Sequence, residues 1–350
     1  MNRQIIQKKF DSAIASSQIH EACLLVENSK GDFSESFSYG GHNTSTPMLA
    51  ASVTKLFTTT CILKLCEQGR LSLEDTVSRY FSRDLLSGLH VFKGHEYSFD
   101  LTVSDLLFQT SGLPDAYEGW KNNGIIKKTI LEEDTYISFE QYLDEVKSLV
   151  PRFAPNTGKK AYYANMNFDL LGEILEKIIE IPLDEIYRQF IFSPIGMTKT
   201  YLPVSEKDYI PYVYYKSQKI DRPNLIASCR ASGGCVSTAK DLNIFSKAFW
   251  EGKLFDKKIF ERLCIYRKLQ ISKGPIFYGG GYMQIPLGTL QTLFMGKGEL
   301  LGHSGSTGSF AFYYPEKDLY FTGNMSQIAR PDMPIRLVMR LAVARDGNAR

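Results

Sequence analysis

Residues 51–57 have the sequence ASVTKLF, and the chemistry that we predict starts from this stretch. Ser52 and Lys55 are three residues apart, so on a helix they share one face, with their Cβ atoms about 5–6 Å apart. Small or apolar residues flank the pair, which favours a buried start to the helix. Burial lowers the pKa of a lysine below its ordinary ~10.4. A partly neutral amine can take the serine proton, so the stretch predicts an activated nucleophile.

The same spacing occurs a second time, at Ser237 and Lys240, where we interpret it as structural. Thr238 followed by Asp241 is typical of a helix N-cap, with apolar residues behind it. Spacing alone therefore does not identify a nucleophile. The case for Ser52 depends on two further elements downstream, the sequences YAN at 163–165 and HSG at 303–305. They add proton carriers and a strand edge with backbone donors, as acyl transfer without a metal requires.

Composition limits the class of protein. The chain has 350 residues, of which 43% are hydrophobic and 23% charged, which predicts one large globular domain or two interleaved ones. A net charge of +3 without a basic stripe argues against nucleic-acid binding. No segment approaches the ~20 apolar residues of a membrane span. Residues 1–9 lack the apolar core of a signal peptide, so we expect a cytoplasmic protein, or an exported one if a leader has been removed.

Cysteine usage agrees with a reducing compartment. No two of the six cysteines form a C-x-x-C pair, and we predict that all are buried thiols, at positions 23, 61, 66, 229, 235 and 264. His90 and His95 lack a third ligand, so neither a metal nor a cofactor is expected.

Strand-like segments lie towards both ends of the chain and helical ones between them. The pattern predicts a hairpin from 22–26 and 33–37, strands at 289–295, 309–314 and 319–324, and helices at 52–68, 71–75, 102–107, 168–179 and 333–344. We therefore predict an α/β (α+β) fold with an antiparallel sheet built from both termini and flanked by helices. Residues 1–50 and 230–350 would form the sheet domain and 51–229 a mostly helical insertion, with the active site between them.

Four passages together resemble the serine β-lactamase and penicillin-binding-protein superfamily, and most closely its class C-like branch. They are ASVTKLF at 51–57, LFQTSGL at 107–113, YYANMNFDLLG at 162–172 and SGGCVSTAKDL at 232–242. The resemblance covers residues 20–345 and implies the β-lactamase/transpeptidase-like fold. Within the second passage, Gln109 replaces the usual histidine, and we expect a structural role for it.

The resemblance implies a role for each matching residue. Ser52 would be the acylated nucleophile and Lys55 its activator. Tyr163 would pass a proton to the leaving group, and a phenol beside a cationic lysine is expected to have a lowered pKa. Asn165 would hydrogen-bond both Lys55 and a substrate amide.

The HSG strand would line the site. Class C β-lactamases have a lysine where this chain has His303, which is mostly neutral at pH 7 with an unperturbed pKa near ~6.5. The histidine version is similar to some DD-peptidases, D-amino-acid peptidases and esterases. His303, Ser304 and Gly305 would contact substrate, and Gly305 would let it approach the strand edge. The backbone N–H of Ser306, with that of Ser52, would form the oxyanion hole.

The sequence thus predicts a β-lactamase-related serine hydrolase that acts on a small amide or ester through an acyl-enzyme. A β-lactamase proper and a non-catalytic penicillin-binding-like sensor or scaffold remain alternatives. An α/β-hydrolase is rejected, because no histidine follows Ser304 in the chain. The expected partner is a small molecule or peptide substrate, and the oligomeric state stays open.

Overall fold

A computed structural model describes residues 2–15, 18–117, 130, 132–155, 160–288 and 296–344. Its largest element is an eight-stranded antiparallel sheet of order β2-β1-β14-β13-β12-β11-β10-β9. The described strands are β1 Ala22–Asn28, β2 Ser34–Tyr39, β3 Met48–Leu49, β4 Val91–Phe92, β5 His95–Glu96, β6 Val213–Tyr215, β7 Gln218–Ile220, β8 Val236–Ser237, β9 Arg267–Lys268, β10 Phe277–Tyr278, β11 Met283–Pro286, β12 Glu299–Ser304, β13 Ser309–Tyr314 and β14 Leu319–Asn324.

Both ends of the chain contribute to this sheet. Strand β1 pairs on one side with β2, as the hairpin pattern predicts, and on the other with β14, where Cys23 lies opposite Asn324 and Asn28 opposite Leu319. The inner strands β13 and β14 are almost entirely buried, because helices cover the sheet. The predicted fold class, an antiparallel sheet from both termini flanked by helices, is confirmed.

Helices occupy the stretch between the two groups of strands and both ends of the described chain. The described helices are α1 Arg3–Ala15, α2 Thr54–Glu67, α3 Arg83–Leu86, α4 Val103–Leu107, α5 Phe139–Lys147, α6 Asn165–Ile179, α7 Leu183–Tyr187, α8 Ser193–Ile195, α9 Pro223–Ser228, α10 Arg230–Gly233, α11 Ala239–Trp250, α12 Phe260–Leu263 and α13 Met333–Ala342. Helix α11 packs on β1, β13 and β14, while α13 packs on α1, β12 and β13. Within the described ranges, no helix is long and apolar enough to cross a membrane.

Helix α2 lies in the core, with α6 and α10 packed against it. Its side chains are buried on nearly every face rather than along one stripe, as expected of a helix that other elements surround. Gly172 permits the close approach of α6 to α10, since a Cβ at that position would lie 2.5 Å from the Cβ of Ala231. This packing brings residues of α2 and α6 together, and the candidate site forms at their amino-terminal ends.

Several local predictions need correction. No helix forms at 71–75, where the chain makes turns before a short 3₁₀ helix at Val77–Arg79. Ser52 lies in a 3₁₀ turn, Ala51–Val53, ahead of α2 rather than in its first turn. Cys264 is exposed, and Cys66 and Cys229 are half-buried, although all six were predicted to be buried; all six are free thiols.

The remaining sequence predictions have mixed outcomes. The helices predicted at 102–107, 168–179 and 333–344 are present as α4, α6 and α13, and strands β13 and β14 have the predicted bounds. The strand predicted at 289–295 lies outside the described residues. The division into a sheet domain and an inserted domain at residues 50 and 230 stays a prediction.

Candidate active site

Ser52 lies on a strained turn that neighbouring strands hold in place. Ala51 has φ +44°, a left-handed conformation that costs a non-glycine residue about 1–3 kcal/mol. The carbonyl of Ala50 accepts a hydrogen bond from Ser309 Oγ at 2.6 Å, and its N–H donates to the carbonyl of Cys235 at 2.8 Å. Thr307 Oγ1 donates to the carbonyl of Leu49 at 3.1 Å. These bonds fix the half-buried Ser52 at the edge of the sheet.

Gly305 allows this attachment. A Cβ at Gly305 would lie 2.2 Å from Ser309 Oγ, 2.7 Å from the carbonyl oxygen of Ala50 and 2.8 Å from the Cβ of Ala51. The missing side chain thus lets the strand approach the turn that carries Ser52. Gly305 also lines the cleft, and its predicted use in letting substrate approach the strand edge stays a prediction.

Lys55 is fully buried beneath Ser52. Its Nζ donates to Asn165 Oδ1 at 2.6 Å and to the carbonyl of Ser232 at 2.5 Å, and lies 3.3 Å from Ser52 Oγ. Both of these oxygens can only accept hydrogen bonds. A neutral amine has two N–H bonds and one lone pair, so those partners use both N–H bonds and the lone pair is left for Ser52. The geometry suits transfer of the serine proton to Lys55.

Burial also lowers the pKa of Lys55, and this is the largest influence on it. The carboxylates of Asp169 and Asp115 oppose that shift, whereas the ammonium group of Lys273 adds to it. Burial raises the pKa of Asp169 itself, opposed by the hydrogen bond from the N–H of Ser232 and by Lys55. The neutral form of Lys55 is therefore accessible near neutral pH.

Asp115 determines how the Asn165 side chain is oriented. Asp115 Oδ1 accepts hydrogen bonds from Asn165 Nδ2 at 3.3 Å and from its backbone N–H at 3.4 Å. With Nδ2 turned towards a carboxylate, the amide oxygen faces Lys55. Tyr142 Oη donates to the same carboxylate oxygen at 3.3 Å, which holds it in place. Sequence reasoning missed Asp115, although it stands two residues after the LFQTSGL passage.

Tyr163 has its hydroxyl buried beside Ser52. Within the described part of the chain, this hydroxyl has no hydrogen-bond partner. Burial raises the pKa of Tyr163, and an interaction with the Ser52 hydroxyl that falls short of full hydrogen-bond geometry opposes the shift. The predicted lowering of its pKa is wrong, because loss of water raises the pKa and the charges of Asp115 and Asp169 add to the rise. Tyr163 is a protonated phenol, able to donate to a ligand rather than to act as a phenolate base.

His303 does not line the cleft, contrary to the expected contact with substrate. Its ring is fully buried, 6.0 Å from the Tyr163 ring and 5.9 Å from the Tyr278 ring between centroids. Nδ1 lies 2.8 Å from the carbonyl of Ser304, so this nitrogen carries the proton and donates. Burial lowers the pKa of His303 to about 3, which keeps the ring neutral. His303 therefore packs next to the Tyr163 ring in the protein interior and does not face the cleft.

Gln109 has the structural position expected of it. Its Oε1 accepts from the N–H of Ala164 at 2.9 Å and from Asn167 Nδ2 at 2.5 Å. Its carbonyl accepts from the N–H of Tyr162 at 2.9 Å. These bonds fix the backbone that carries Tyr163 into the site.

Ser52 lies on the wall of a cleft of about 1230 Å³, large enough for a short peptide. Ser52, Tyr163, Asn165 and residues 304–306 line it. Ser306 follows the end of β12, and no described residue accepts a hydrogen bond from its N–H, as an oxyanion donor requires. In the described ranges, no three His, Cys, Asp or Glu side chains lie close enough to hold a metal ion.

A serine hydroxyl next to a buried amine and a buried phenol, beside an antiparallel sheet, is the arrangement expected of serine acyl-enzyme hydrolases with a β-lactamase/transpeptidase-like fold. The sequence model of one family, described as Beta-lactamase, matches residues 25–339. The chain belongs to the Beta-lactamase family, a family of serine hydrolases, and the resemblance to the serine β-lactamase and penicillin-binding-protein superfamily is confirmed. Its assignment to the class C-like branch stays a prediction.

Curated relatives match part of the chain. Protein flp of Staphylococcus aureus (strain NCTC 8325 / PS 47) is 28% identical over 185 residues, which are 51% of this chain and 33% of that protein. The putative penicillin-binding protein PbpX of Bacillus subtilis (strain 168) is 27% identical over 248 residues, which are 68% of this chain and 55% of PbpX. The match thus covers only 33% and 55% of the lengths of these relatives.

Solved structures share the fold over nearly the whole chain. A D-stereospecific amidohydrolase from Streptomyces sp. is 21% identical with a TM-score of 0.79, and the match covers 97% of this chain and 98% of that one. A D-amino acid amidase from Ochrobactrum anthropi SV3 is 19% identical with a TM-score of 0.76, covering 96% and 99%. EstCE1, a hydrolase with promiscuous acyltransferase activity, is 19% identical with a TM-score of 0.75, covering 97% of each chain.

The lowered pKa of Lys55 predicts how catalysis depends on pH. The base must be neutral to accept the serine proton, so kcat/KM should fall as pH decreases through the pKa of Lys55. Because that pKa lies below its ordinary value of 10.5, the rate should reach its plateau well below pH 10. A profile of kcat/KM from pH 5 to 10 measures this. A midpoint near 10.5, or a flat profile, would contradict the role of a buried neutral amine.

Replacing Asp115 with asparagine should change both the rate and its pH dependence. Asp115 raises the pKa of Lys55, so Asp115→Asn should move the acid limb of kcat/KM to lower pH. Loss of the oriented Asn165 amide should also reduce the plateau about tenfold. Asp144→Asn, an equal charge change at an exposed position of α5, is the control and should alter neither quantity. A limb that stays in place, or moves to higher pH, would exclude coupling between Asp115 and Lys55.

Proposed function

We propose that this chain is a serine hydrolase that cleaves a small amide or ester through an acyl-enzyme at Ser52. The observation that carries the proposal is the position of Lys55 Nζ, 3.3 Å from Ser52 Oγ, with its two other partners both carbonyl oxygens. A serine with a buried neutral base beside it is an activated nucleophile. A protein that binds its ligand without forming a covalent bond has no use for that arrangement.

In the first step, Ser52 Oγ bonds to the carbonyl carbon of the substrate while Lys55 takes the serine proton. The oxygen of the resulting tetrahedral intermediate would accept hydrogen bonds from the N–H groups of Ser52 and Ser306, which together are worth about 3 kcal/mol or more in the transition state. Collapse of the intermediate breaks the bond to the leaving group, which receives a proton from Tyr163. The Lys55 ammonium restores the proton of the phenol.

In the second step, water replaces the leaving group. As the water oxygen bonds to the acyl carbon, the Tyr163 hydroxyl gives its proton to neutral Lys55 and takes one from the water. Ser52 Oγ then leaves with the proton that Lys55 holds. Acid and base thus exchange roles between the two halves of the reaction. The hydroxyl of Tyr163, buried and without a partner among the described residues, is suited to this exchange because a substrate or water can complete its hydrogen bonding.

The substrate class that we propose is a peptide or amide with a D-amino acid, or a simple ester, in the manner of DD-peptidases, D-amino-acid peptidases and esterases. The names of the Streptomyces amidohydrolase, the Ochrobactrum amidase and EstCE1 support this range. A β-lactamase proper is the weaker candidate. Class C enzymes have a lysine at the position that matches His303 of this chain. His303 is buried and neutral, so it cannot supply the positive charge of that lysine.

A panel of ester, amide and β-lactam substrates tests the proposal. We expect many turnovers per protein with p-nitrophenyl acetate or with D-alanine amide, and slow or single acylation with nitrocefin. Rapid turnover of nitrocefin alone would favour the β-lactamase instead. A burst of one product per protein with every substrate, without further turnover, would favour the sensor with the same serine. No reaction in any assay would refute the hydrolase.

A further inference from the structure

Two oxygen atoms accept hydrogen bonds from Lys55 Nζ, and a carboxylate holds the residue that carries each of them. Asp115 orients the Asn165 amide, whose oxygen lies 2.6 Å from Nζ. On the other side, Asp169 Oδ1 accepts a hydrogen bond at 3.1 Å from the backbone N–H of Ser232, whose carbonyl lies 2.5 Å from Nζ. Lys55 is therefore held between two residues that are each tied to a carboxylate.

Helix α6 determines where Asp169 lies. Asp169 follows Asn165 by four residues, so the two side chains share the helix face that is turned towards the base. One turn further along this face, Glu173 pairs with Arg230 at 2.7 Å, which fastens the short helix α10 to α6. Helix α10 contributes the carbonyl that accepts from the base. The polar face of α6 thus fixes that carbonyl in place.

Asp169 does not line the cleft in which Ser52 lies. Its half-buried side chain faces a separate chamber of about 20 Å³, which has room for one water molecule. Among the described residues, its carboxylate has no direct ion pair, since the nearby Arg230 binds Glu173 and Glu176 instead. A residue in this position acts on the reaction through its neighbours and not by contact with substrate.

A carboxylate beside the base offsets one effect of burial. Burial makes the neutral form of Lys55 accessible, but it also makes the amine a weaker base, because the ammonium form has lost its water. Asp169 raises the pKa of Lys55, and more strongly than Asp115 does. Its negative charge, on the far side of Ser232, favours the ammonium group at the moment when the serine proton arrives.

Other charged or titratable groups also face these two side chains. Around Lys55 they are Asp115, Tyr163, Cys229, Lys273 and His303, and around Asp169 they are Tyr117, Tyr142, Glu173, Cys229 and Arg230. A substitution at residue 169 leaves all of them in the protein. A difference between the pH profiles of wild type and variant therefore reports the loss of this one carboxylate.

We propose that Asp169 is a positioning residue for the base: its carboxylate holds Ser232 so that the carbonyl meets Lys55 Nζ, and its negative charge stabilises the ammonium group that Lys55 becomes when it takes the serine proton. This inference rests on the proposed function and adds to it a residue that the substrate does not touch. Sequence reasoning did not single out Asp169, although it lies within the YYANMNFDLLG passage.

Two substitutions separate the charge of Asp169 from its hydrogen bond. Asp169→Asn keeps an oxygen that can accept from Ser232 and removes the charge, so the acid limb of kcat/KM should move to lower pH by at least about half a unit. The weaker base should also lower the plateau about threefold to tenfold. Asp169→Ala removes the acceptor as well, and its plateau should be lower still. Profiles of kcat/KM against pH with p-nitrophenyl acetate measure both quantities, and either variant alone, if folded by circular dichroism, decides the position of the limb.

Glu173→Gln is the matched control. It makes the same change of charge one turn further along α6, keeps an acceptor for Arg230 and faces the same chamber. The charges that act most on Lys55 do not include Glu173, so limb and plateau should both stay as in wild type. A limb that stays in place in both Asp169 variants, even with a lowered plateau, would mean that Asp169 only supports the fold and would overturn the proposal. A limb that moves to higher pH would overturn it too.

An NMR titration separates failure of this inference from failure of the proposed function. In protein made with ¹³C-labelled lysine, the ε-carbon signal of Lys55 reports protonation of Nζ without any substrate, and its absence in Lys55→Met assigns it. The midpoint should be lower in Asp169→Asn than in wild type and unchanged in Glu173→Gln. If no substrate is hydrolysed but the midpoint moves in this way, the hydrolase is wrong and the positioning role stands. If the midpoint stays in place or rises, the positioning role is wrong whatever the activity.

Discussion

Ser52→Ala is expected to reduce kcat/KM about 10⁴-fold or more on any ester that the wild-type protein hydrolyses. Alanine removes the atom that bonds to the substrate carbonyl, and the remaining donors and binding contacts give only a residual acceleration. The substitution deletes one half-buried hydroxyl whose described hydrogen-bond partner is Lys55, so the fold should survive. Steady-state kinetics, with far-UV circular dichroism as a check on folding, measure the effect.

Ser237→Ala is the matched control, since Ser237 opens the second Ser-x-x-Lys sequence. Its hydroxyl is buried and hydrogen-bonds Thr200 Oγ1 at 2.8 Å. Losing that bond should cost about 1 kcal/mol of stability and leave catalysis within about threefold of wild type. If Ser52→Ala kept more than a hundredth of the wild-type rate, another nucleophile would have to be sought.

Lys55→Met should have the next largest effect, a loss of about 10³-fold or more in kcat/KM. Methionine has a similar length and suits a buried site, but it cannot accept the serine proton. Asn165 Oδ1 and the carbonyl of Ser232 lose a donor, which costs about 1–3 kcal/mol for each oxygen left unsatisfied. Removing a buried amine offsets part of this cost, so we expect a folded, inactive protein.

Lys240→Met controls for the change of charge, because Lys240 is the exposed lysine of the second Ser-x-x-Lys sequence. It should retain wild-type kinetics. Kinetics and chemical denaturation of both variants would be measured together. A folded Lys55→Met protein with undiminished turnover would remove the lysine from the mechanism, and an unfolded one would require Lys55→Gln, which can still donate hydrogen bonds but is not a base, for the same comparison.

Much of the fold could be predicted because its signals are local. Runs of apolar residues, or of apolar and polar residues in alternation, identify β1, β13 and β14. Apolar residues along one face identify α6. The strands β9 and β10 have only two residues each, so their pairing with neighbours, and not their own sequence, makes them strands. The predicted helix at 71–75 failed for a related reason, since the carbonyls of Leu73 and Asp75 accept hydrogen bonds from the N–H groups of Ser104 and Val103 and not from a helix of their own.

The site could be predicted in part. Ser52, Lys55 and Asn165 lie together at the ends of α2 and α6, where residue spacing and the family resemblance led us to expect them. Asp115 and Asp169 could not be found, because their roles arise from contacts across 50 and 63 residues of chain. The pKa of Tyr163 was predicted with the wrong sign, and the contact of His303 with substrate was wrong. In both cases the degree of burial decides the outcome, and spacing does not reveal it.

The central claim is that Lys55 makes Ser52 a nucleophile. The most direct measurement is intact-mass spectrometry after incubation with a fluorophosphonate, followed by peptide mapping of the adduct. We predict one adduct per chain, on the peptide that contains Ser52, formed at least about a hundredfold more slowly in Lys55→Met. An adduct on another serine, no adduct at all, or equal labelling rates in the two proteins would contradict the account.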